Sequence, residues 1–353
     1  MDNIIKIEGA VCAPTLPHNE QIVMGHGAGG RMSHQLIQKA FLTAFQNPAL
    51  LAGDDAALVD TGQGRQLSIS IDSHVVWPLF FPGGDIGRLA VCGTVNDVAM
   101  LGARPLYLTA GFILEEGLQM EMLQRVVASM RSAAQEAGVQ IVAGDTKVVQ
   151  KGKADGLYIT TAGVGLVRAG YAVSGANAKM GDAVILSGPI GDHGIAVLGA
   201  RGELGFESNI QSDVAPLNHL VEAMLDASPN VHVLRDPTRG GLATTLNEIA
   251  MQSNTAILLD ENAIPVRPDV GAACEMLGFD PLYVANEGKL VAMVAREDAR
   301  AVLTAMRATR YGEEAVIIGE VTSEAPGRVL LRTAIGSTRV VDMPAGEILP
   351  RIC

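Results

Sequence analysis

The sequence predicts an α/β (α+β) protein built from two domains, and three observations carry that expectation. The chain has 353 residues, more than one compact domain normally takes. Apolar residues make up 48% and charged residues 18%, which is enough to bury sizeable cores and excludes disorder for most of the chain. Helix-period and strand-period segments recur on both sides of a Gly-, Ala-, Ser- and Asn-rich stretch from Arg168 to Lys179. The domain boundary is placed there. Forty glycines against 4% aromatics lean towards an enzyme with phosphate-handling loops.

Residues 1–24 carry Pro14 and Pro17 and little patterning, and read as an N-terminal arm. The first domain is expected over 25–168. It opens on the glycine-rich loop Gly25 to Gly30 (GHGAGG). The loop runs into a helix with Leu36, Ile37, Ala40, Phe41, Ala44 and Phe45 at helical spacing, stopped by Asn47-Pro48. Leu67 to Asp72 alternates apolar and polar residues, as a strand does. Ile86 to Leu101 is apolar nearly all round and predicts a buried helix. Met120, Leu123, Val126, Val127 and Met130 predict an amphipathic helix that Gly138 ends. Strands are expected at Val139 to Val142 and Leu157 to Val167. The second domain, 175–342, is expected to open with a strand at Ala183 to Ser187. A helix over Arg239 to Ala250 and a last strand region near Arg328 to Val341 follow.

Net charge is −12 and no Lys/Arg-rich run exists, so nucleic acid is not an expected partner. Phosphate, if bound, must meet backbone amides and metal ions. No apolar run reaches the roughly 20 residues a membrane span needs. The four cysteines, Cys12, Cys92, Cys274 and Cys353, show neither zinc nor redox spacing, which fits a reduced, cytoplasmic chain.

Acidic residues recur beside small ones: Asp54 and Asp55 (GDDAA), Asp72 (SIDSHVV), Asp97 (TVNDVAMLGA), Asp145 (AGDTKVV) and Asp236 (RDPTRGGL). Asp is also a usual cap and turn residue, so most of these allow two readings. The mid-helix pair Asn96-Asp97 suits no simple cap. A buried carboxylate needs a partner, and Mg²⁺ takes a few carboxylate oxygens plus phosphate and water. The glycine loops at 25–30, 83–84, 188–194 and 240–241 allow backbone amides to close on phosphate. No Walker A and no dinucleotide fingerprint accompanies them. Lys147, read at a strand end, suits charge stabilisation on phosphate, and Glu287, in Asn286-Glu287-Gly288-Lys289, suits a general base. Both, like Lys289, also read as solvated surface charges. His26 and His193 sit in glycine loops as phosphate contacts or as exposed loop histidines.

The last eleven residues, Met343 to Cys353, hold two prolines and a glycine, which discourage helix and central strand. Ten extended residues carry the terminal thiol about 33 Å. A frayed terminus and a mobile carrier arm both fit.

In order, GDDAA, ISIDSHVV, CGTVNDVAMLG, AGDTKVV, GDHG, DPTRGGL and NEGK resemble the superfamily of aminoimidazole ribonucleotide synthetase, selenophosphate synthetase and thiamine-phosphate kinase. The cysteine-free glycine loop, FFPGGDIG (Phe80 to Gly87) and terminal PRIC resemble its HypE family, of hydrogenase maturation. The resemblance implies a two-domain PurM-like fold. In it the N-terminal sheet forms a dimeric β-barrel core flanked by helices, and a C-terminal α/β sandwich and a flexible tail over 343–353 follow. It implies an ATP-dependent carbamoyl dehydratase. HypF would load the Cys353 thiol, and the thiocyanate formed would donate its nitrile to iron on HypC–HypD. Cys353, Lys147 and Glu287 would be catalytic. Gly27, Gly29, Gly30, Asn96, Asp97, Gly144, Asp145, Thr146 and His193 would hold ATP. Asp54, Asp55, Asp72, Asp97 and Asp236 would hold Mg²⁺. A selenophosphate-synthetase-like enzyme, whose glycine loop usually carries a reactive Cys, and a nucleotide-gated scaffold are the competing readings.

Overall fold

The computed structural model describes residues 21–62, 64–205 and 209–346. Most of the expected N-terminal arm, and Cys353 with the end of the tail, lie outside them.

The first sheet has five strands: β1 (Ala57–Asp60), β2 (Gln66–His74), β5 (Ala103–Glu115), β6 (Gln140–Val149) and β7 (Leu157–Val167). Their order is β1-β2-β7-β5-β6, antiparallel except for the parallel pair β5/β6. A two-stranded ribbon, β3 (Phe80–Phe81) and β4 (Gly84–Asp85), leads into the central helix. The sheet is open within the chain, and the expected barrel is not closed by one copy.

Ahead of the sheet lie α1 (Arg31–Leu36), a π-helical turn over Ile37–Leu42, α2 (Thr43–Phe45) and α3 (Pro48–Leu51). The expected apolar stripe does not pack here: Ile37, Phe41 and Phe45 are exposed. Asn47-Pro48 also starts a helix as well as stopping one. The Asn47 side chain accepts the Leu50 N–H at 3.0 Å, with Pro48 in the first turn.

The helix α4 (Ile86–Met100) is buried on nearly every side, as its sequence predicts. Asp85 caps it, accepting the N–H groups of Gly87 (2.7 Å) and Arg88 (3.2 Å). α5 (Met120–Ala137) ends at Gly138, which adopts φ 70°, a conformation a side chain disfavours. Leu89, Val95, Val126 and Met130 join Leu108 and Ile159 in the first core.

The second sheet has seven strands: β8 (Ala183–Leu186), β9 (Val231–Arg235), β10 (Ala256–Asp260), β11 (Val291–Val294), β12 (Val316–Thr322), β13 (Val329–Arg332) and β14 (Thr338–Val341). Their order is β14-β13-β10-β12-β8-β11-β9. Around it pack α6 (Asp192–Ala200), α7 (Asn218–Ala227), α8 (Gly241–Ser253), α9 (Pro268–Leu277) and α10 (Ala299–Arg307). Ala99 and Met100 of α4 sit in the same apolar cluster as Ile185, Leu217 and Leu290, so the two sheets are joined by a shared core. No described helix is long and apolar enough to cross a membrane.

β2 reverses the simple reading of an alternating strand. Its polar residues Ser68, Ser70 and His74 are buried, while Ile69 and Ile71 on the opposite face are exposed. The buried polar side meets α4: Ser68 Oγ donates to the Val98 carbonyl at 3.0 Å, and Ser70 Oγ to Asp97 Oδ2 at 2.6 Å. The open face continues through Tyr107 and Ile113 on β5, both exposed.

Candidate active site

Four elements bring carboxylates to one buried interdomain cluster. β2 supplies Asp72, α4 supplies Asp97, the loop before β1 supplies Asp55, and the turn after β9 supplies Asp236. Glu287 enters from the turn before β11. Burial first, then the charges of Asp236, Asp72 and Asp55, hold the Asp97 carboxyl far above its ordinary range. Burial and Asp55 do the same to Asp236. Burial, then Asp72, Asp236 and Asp213, raise Glu287. Burial pushes Asp55 up to about 6 against the pull of Arg235.

Arg235 is the organising cation. Its Nη1 lies 2.6 Å from Asp55 Oδ1 and 3.4 Å from Glu248 Oε2, and its Nη2 donates to the Gly53 carbonyl at 2.8 Å. Glu248 in turn meets His34 Nε2 on α1 at 2.9 Å. Arg239 Nη1 donates to the Gly27 carbonyl at 3.0 Å, tying the glycine loop to the turn that carries Asp236. Both arginines flank Asp236 in the motif RDPTRGG, but in sequence their charge reads as surface. Only the fold shows Arg235 to be buried.

Mg²⁺ fits this set. Asp55 Oδ2 and Glu287 Oε1 are buried without a hydrogen-bond partner, and the mutual repulsion calls for a cation. No three His, Cys, Asp or Glu residues among the described residues already form a closed ligand set. A hydrated Mg²⁺ held by one or two carboxylates and phosphate oxygens does not need one.

Several expected ligands have other duties. Asp54 accepts from Ser174 Oγ and the Gly175 N–H, both at 2.8 Å, so it anchors the interdomain linker. Asn96 gives its amide to the chain: Nδ2 donates to the Ala215 carbonyl at 3.1 Å, and Oδ1 accepts the Leu217 N–H at 2.8 Å. It is a fastener between domains. His193 is buried edge-on to Phe81, ring centroids 5.5 Å apart, with Nδ1 at 2.8 Å from Ser212 Oγ.

Gly144, Asp145, Thr146 and Lys147 do not stand at a strand end. They lie inside β6, an exposed edge strand that runs to Val149. A Cβ on Gly144 would meet the Ala110 carbonyl oxygen at 2.6 Å, so glycine serves the strand pairing there. Lys147 Nζ lies 2.5 Å from Asp145 Oδ2 with both side chains in solvent. In register Lys147 sits beside Ile113 on the open face of the sheet.

The tail root is fixed at the glycine loop. The Arg31 N–H donates to the Pro344 carbonyl at 3.0 Å, and Tyr283 Oη to the Asp342 carbonyl at 2.8 Å. Gly30 passes so close that a Cβ would lie 2.5 Å from the Pro344 oxygen. Cys92 and Cys274 are buried free thiols, which burial pushes up to about 12 and about 11. Neither is a nucleophile at neutral pH.

The raised carboxyls set a pH dependence. A group whose pKa is raised on folding contributes stability at low pH that is lost as pH rises through the folded value. Metal-free protein is therefore expected to melt about 2–5 °C lower at about pH 8 than at about pH 6. Mg²⁺ with nucleotide should close most of that gap, as scanning fluorimetry would show.

The two-sheet fold with its buried carboxylate cluster beside a glycine loop is that of the two-domain AIR synthase related class. That family's N-terminal domain matches residues 53–167 and its C-terminal domain residues 179–332. The chain is 59% identical to the carbamoyl dehydratase HypE of Cupriavidus necator, over 94% of this chain and 95% of that protein. A HypE–HypF complex superposes with TM-score 0.84 at 51% identity, covering 88% of this chain and 99% of that one. A HypE structure in complex with ATP superposes with TM-score 0.79 at 52% identity, covering 94% and 100%. The chain belongs to the HypE family, the carbamoyl dehydratases of hydrogenase maturation.

Proposed function

We propose that this chain dehydrates a carbamoyl group held on the Cys353 thiol, at the expense of ATP, and passes the resulting nitrile to iron on a HypC–HypD complex. The observation that carries this reading is the docking of the tail root on the glycine loop, beside the buried carboxylates. From Gly346, which packs against Met32, seven further residues reach about 23 Å. That brings a terminal thiol either into the cleft or out to a donor such as HypF. Solved relatives with HypF and with ATP support both partners. The chain would divide into an arm (1–24), a nucleotide-binding domain (25–168), a second domain (175–342) and a carrier tail (343–353), and act in the cytoplasm.

The chemistry assigns a task to each group. The thiocarbamate oxygen attacks the γ-phosphorus, ADP leaves, and nitrogen gives up one proton. A second N–H proton then departs as the C–O bond breaks, leaving S–C≡N and inorganic phosphate. Glu287, buried with one oxygen unpartnered and its pKa raised, would act as the base, and a raised pKa makes an ionised carboxylate a stronger one. Asp55, Asp72, Asp97 and Asp236 would hold Mg²⁺, which neutralises charge on the transferring phosphoryl group. The Gly27–Gly30 backbone would cradle phosphate.

Lys147 meets this site only in a dimer. The exposed apolar face carrying Ile71, Tyr107 and Ile113, with the unpaired edge β6, is the surface a second copy would cover. The paired sheets would form the barrel core, and Lys147 would serve the partner's cleft. Lys147→Ala and Glu287→Gln variants, each inactive alone, are expected to recover about a quarter of wild-type activity when co-expressed. Half the dimers are then mixed, each with one intact site. No recovery would show that Lys147 acts within its own chain, and an active Lys147→Ala variant would show that it does not act at all.

A further inference from the structure

The turn that presents Glu287 is gripped by residues that reach no reacting atom. The Glu287 N–H donates to Asp213 Oδ1 at 3.0 Å. Its carbonyl accepts the Ala215 N–H at 3.4 Å and Asn96 Nδ2 at 3.5 Å. Gly288 crosses Asp213 so tightly that a Cβ would sit 1.7 Å from the Asp213 carbonyl oxygen. Any side chain there would force the turn away from the cleft. Asp213 is itself buried, with its side chain 3% exposed, and its Oδ2 lies 3.4 Å from Lys289 Nζ.

A neutral amide would serve to hold an ordinary turn. Here a buried acidic side chain touches the Glu287 backbone and pairs with Lys289, two residues beyond Glu287, close to the other carboxylates. A carboxylate acceptor makes a shorter, stronger bond to a backbone N–H than an amide oxygen does. Asp213 also adds to the negative charge that raises Glu287, with Lys289 Nζ 3.4 Å from its Oδ2.

We propose that Asp213 and Lys289 are positioning residues for the dehydration step. Asp213 fixes the Glu287 backbone, so that the unpartnered Oε1 meets the nitrogen of the thiocarbamate. Lys289, its Nζ 3.4 Å from Asp213 Oδ2, holds that side chain in place. Asn96 completes the grip from the first domain, which gives the amide in the middle of α4 a structural task. Misplacing a catalytic group by about 1 Å costs on the order of 100-fold in rate, which sets the expected effect. The inference rests on the reading of Glu287 as the base.

The experiment follows one turnover on full-length protein carrying S-carbamoyl Cys353, with ATP and Mg²⁺, by intact mass. Asp213→Ala should slow conversion to thiocyanate about 10- to 100-fold, with carbamoyl acceptance and ATP affinity unchanged. Asp213→Asn, which keeps an acceptor for the Glu287 N–H, should recover to within about tenfold of wild type. Lys289→Met should fall between the two. Wild-type conversion by Asp213→Ala, in the face of a slow Glu287→Gln, would overturn the inference alone. So would a joint loss of ATP affinity, carbamoyl acceptance and melting temperature in both Asp213 variants, which marks a merely structural residue. Wild-type conversion by Glu287→Gln would remove the base itself, and the inference with it.

Discussion

Replacing Cys353 by Ser will abolish nitrile formation, by at least roughly 10³-fold, while ATP binding persists. A hydroxyl is a far weaker nucleophile than a thiol at neutral pH, and a carbamate ester is a poorer precursor of a nitrile carrier than a thiocarbamate. Nothing else in the described chain can substitute, because Cys92 and Cys274 are buried and their thiols held up at about 12 and about 11. The nucleotide site is independent of the tail's last residue. As proposed, it would use the glycine loop and the turn after β9, which the Arg239 hydrogen bond to the Gly27 carbonyl joins. Intact mass after incubation with HypF, carbamoyl phosphate and ATP would show an unmodified variant, and calorimetry would show nucleotide affinity near wild type. A small-molecule kinase would keep full turnover in this variant, and such a result would dismiss the carrier role of the tail.

Much of this was readable from the sequence. α4 declared itself by being apolar on every side, and α5 by its period and its terminal Gly138. Asp97 stood out because a carboxylate inside such a helix has no cap to make. Asn96 carried the same signal but a different role. Sequence shows that an amide is buried, whereas only the fold shows that its partners are the backbones of Ala215 and Leu217. β5 escaped notice because Pro105 and Gly111 interrupt its pattern, although it is the strand between β7 and β6. The strand expected at Val139 to Val142 runs on in the structure to Val149. AGDTKVV reads as the end of a strand, because an exposed edge strand imposes no burial pattern that would show it running on. Asp54 and Asp55 are neighbours of one type, and no local rule separates the linker anchor from the residue paired with Arg235. Long-range contacts decide such cases, and those are not local properties of a chain.

Asp97→Asn is expected to lower Mg-ATP-dependent turnover at least ~tenfold and, at the same time, to stabilise the metal-free protein above about pH 6. The two effects share one cause. Without a cation, burial and the charges of Asp236, Asp72 and Asp55 penalise the ionised Asp97. The protein therefore takes up a proton there, or tolerates the cost, and an amide of the same shape removes that penalty. Ser70 Oγ, 2.6 Å from Asp97 Oδ2, can still donate to the amide oxygen, so the local packing need not change. If Asp97 helps hold Mg²⁺ as proposed, the balance inverts with Mg-ATP bound, since the cation then requires the charge that the apoprotein resists. Turnover should fall mainly through a weaker response to Mg²⁺, with the midpoint of Mg²⁺ activation shifted upward. Stability sacrificed at a functional carboxylate is a familiar trade, and here it has a named electrostatic origin. A variant that melted earlier than wild type in EDTA at about pH 8, or that kept full turnover at low Mg²⁺, would contradict the placement of Asp97 at the metal.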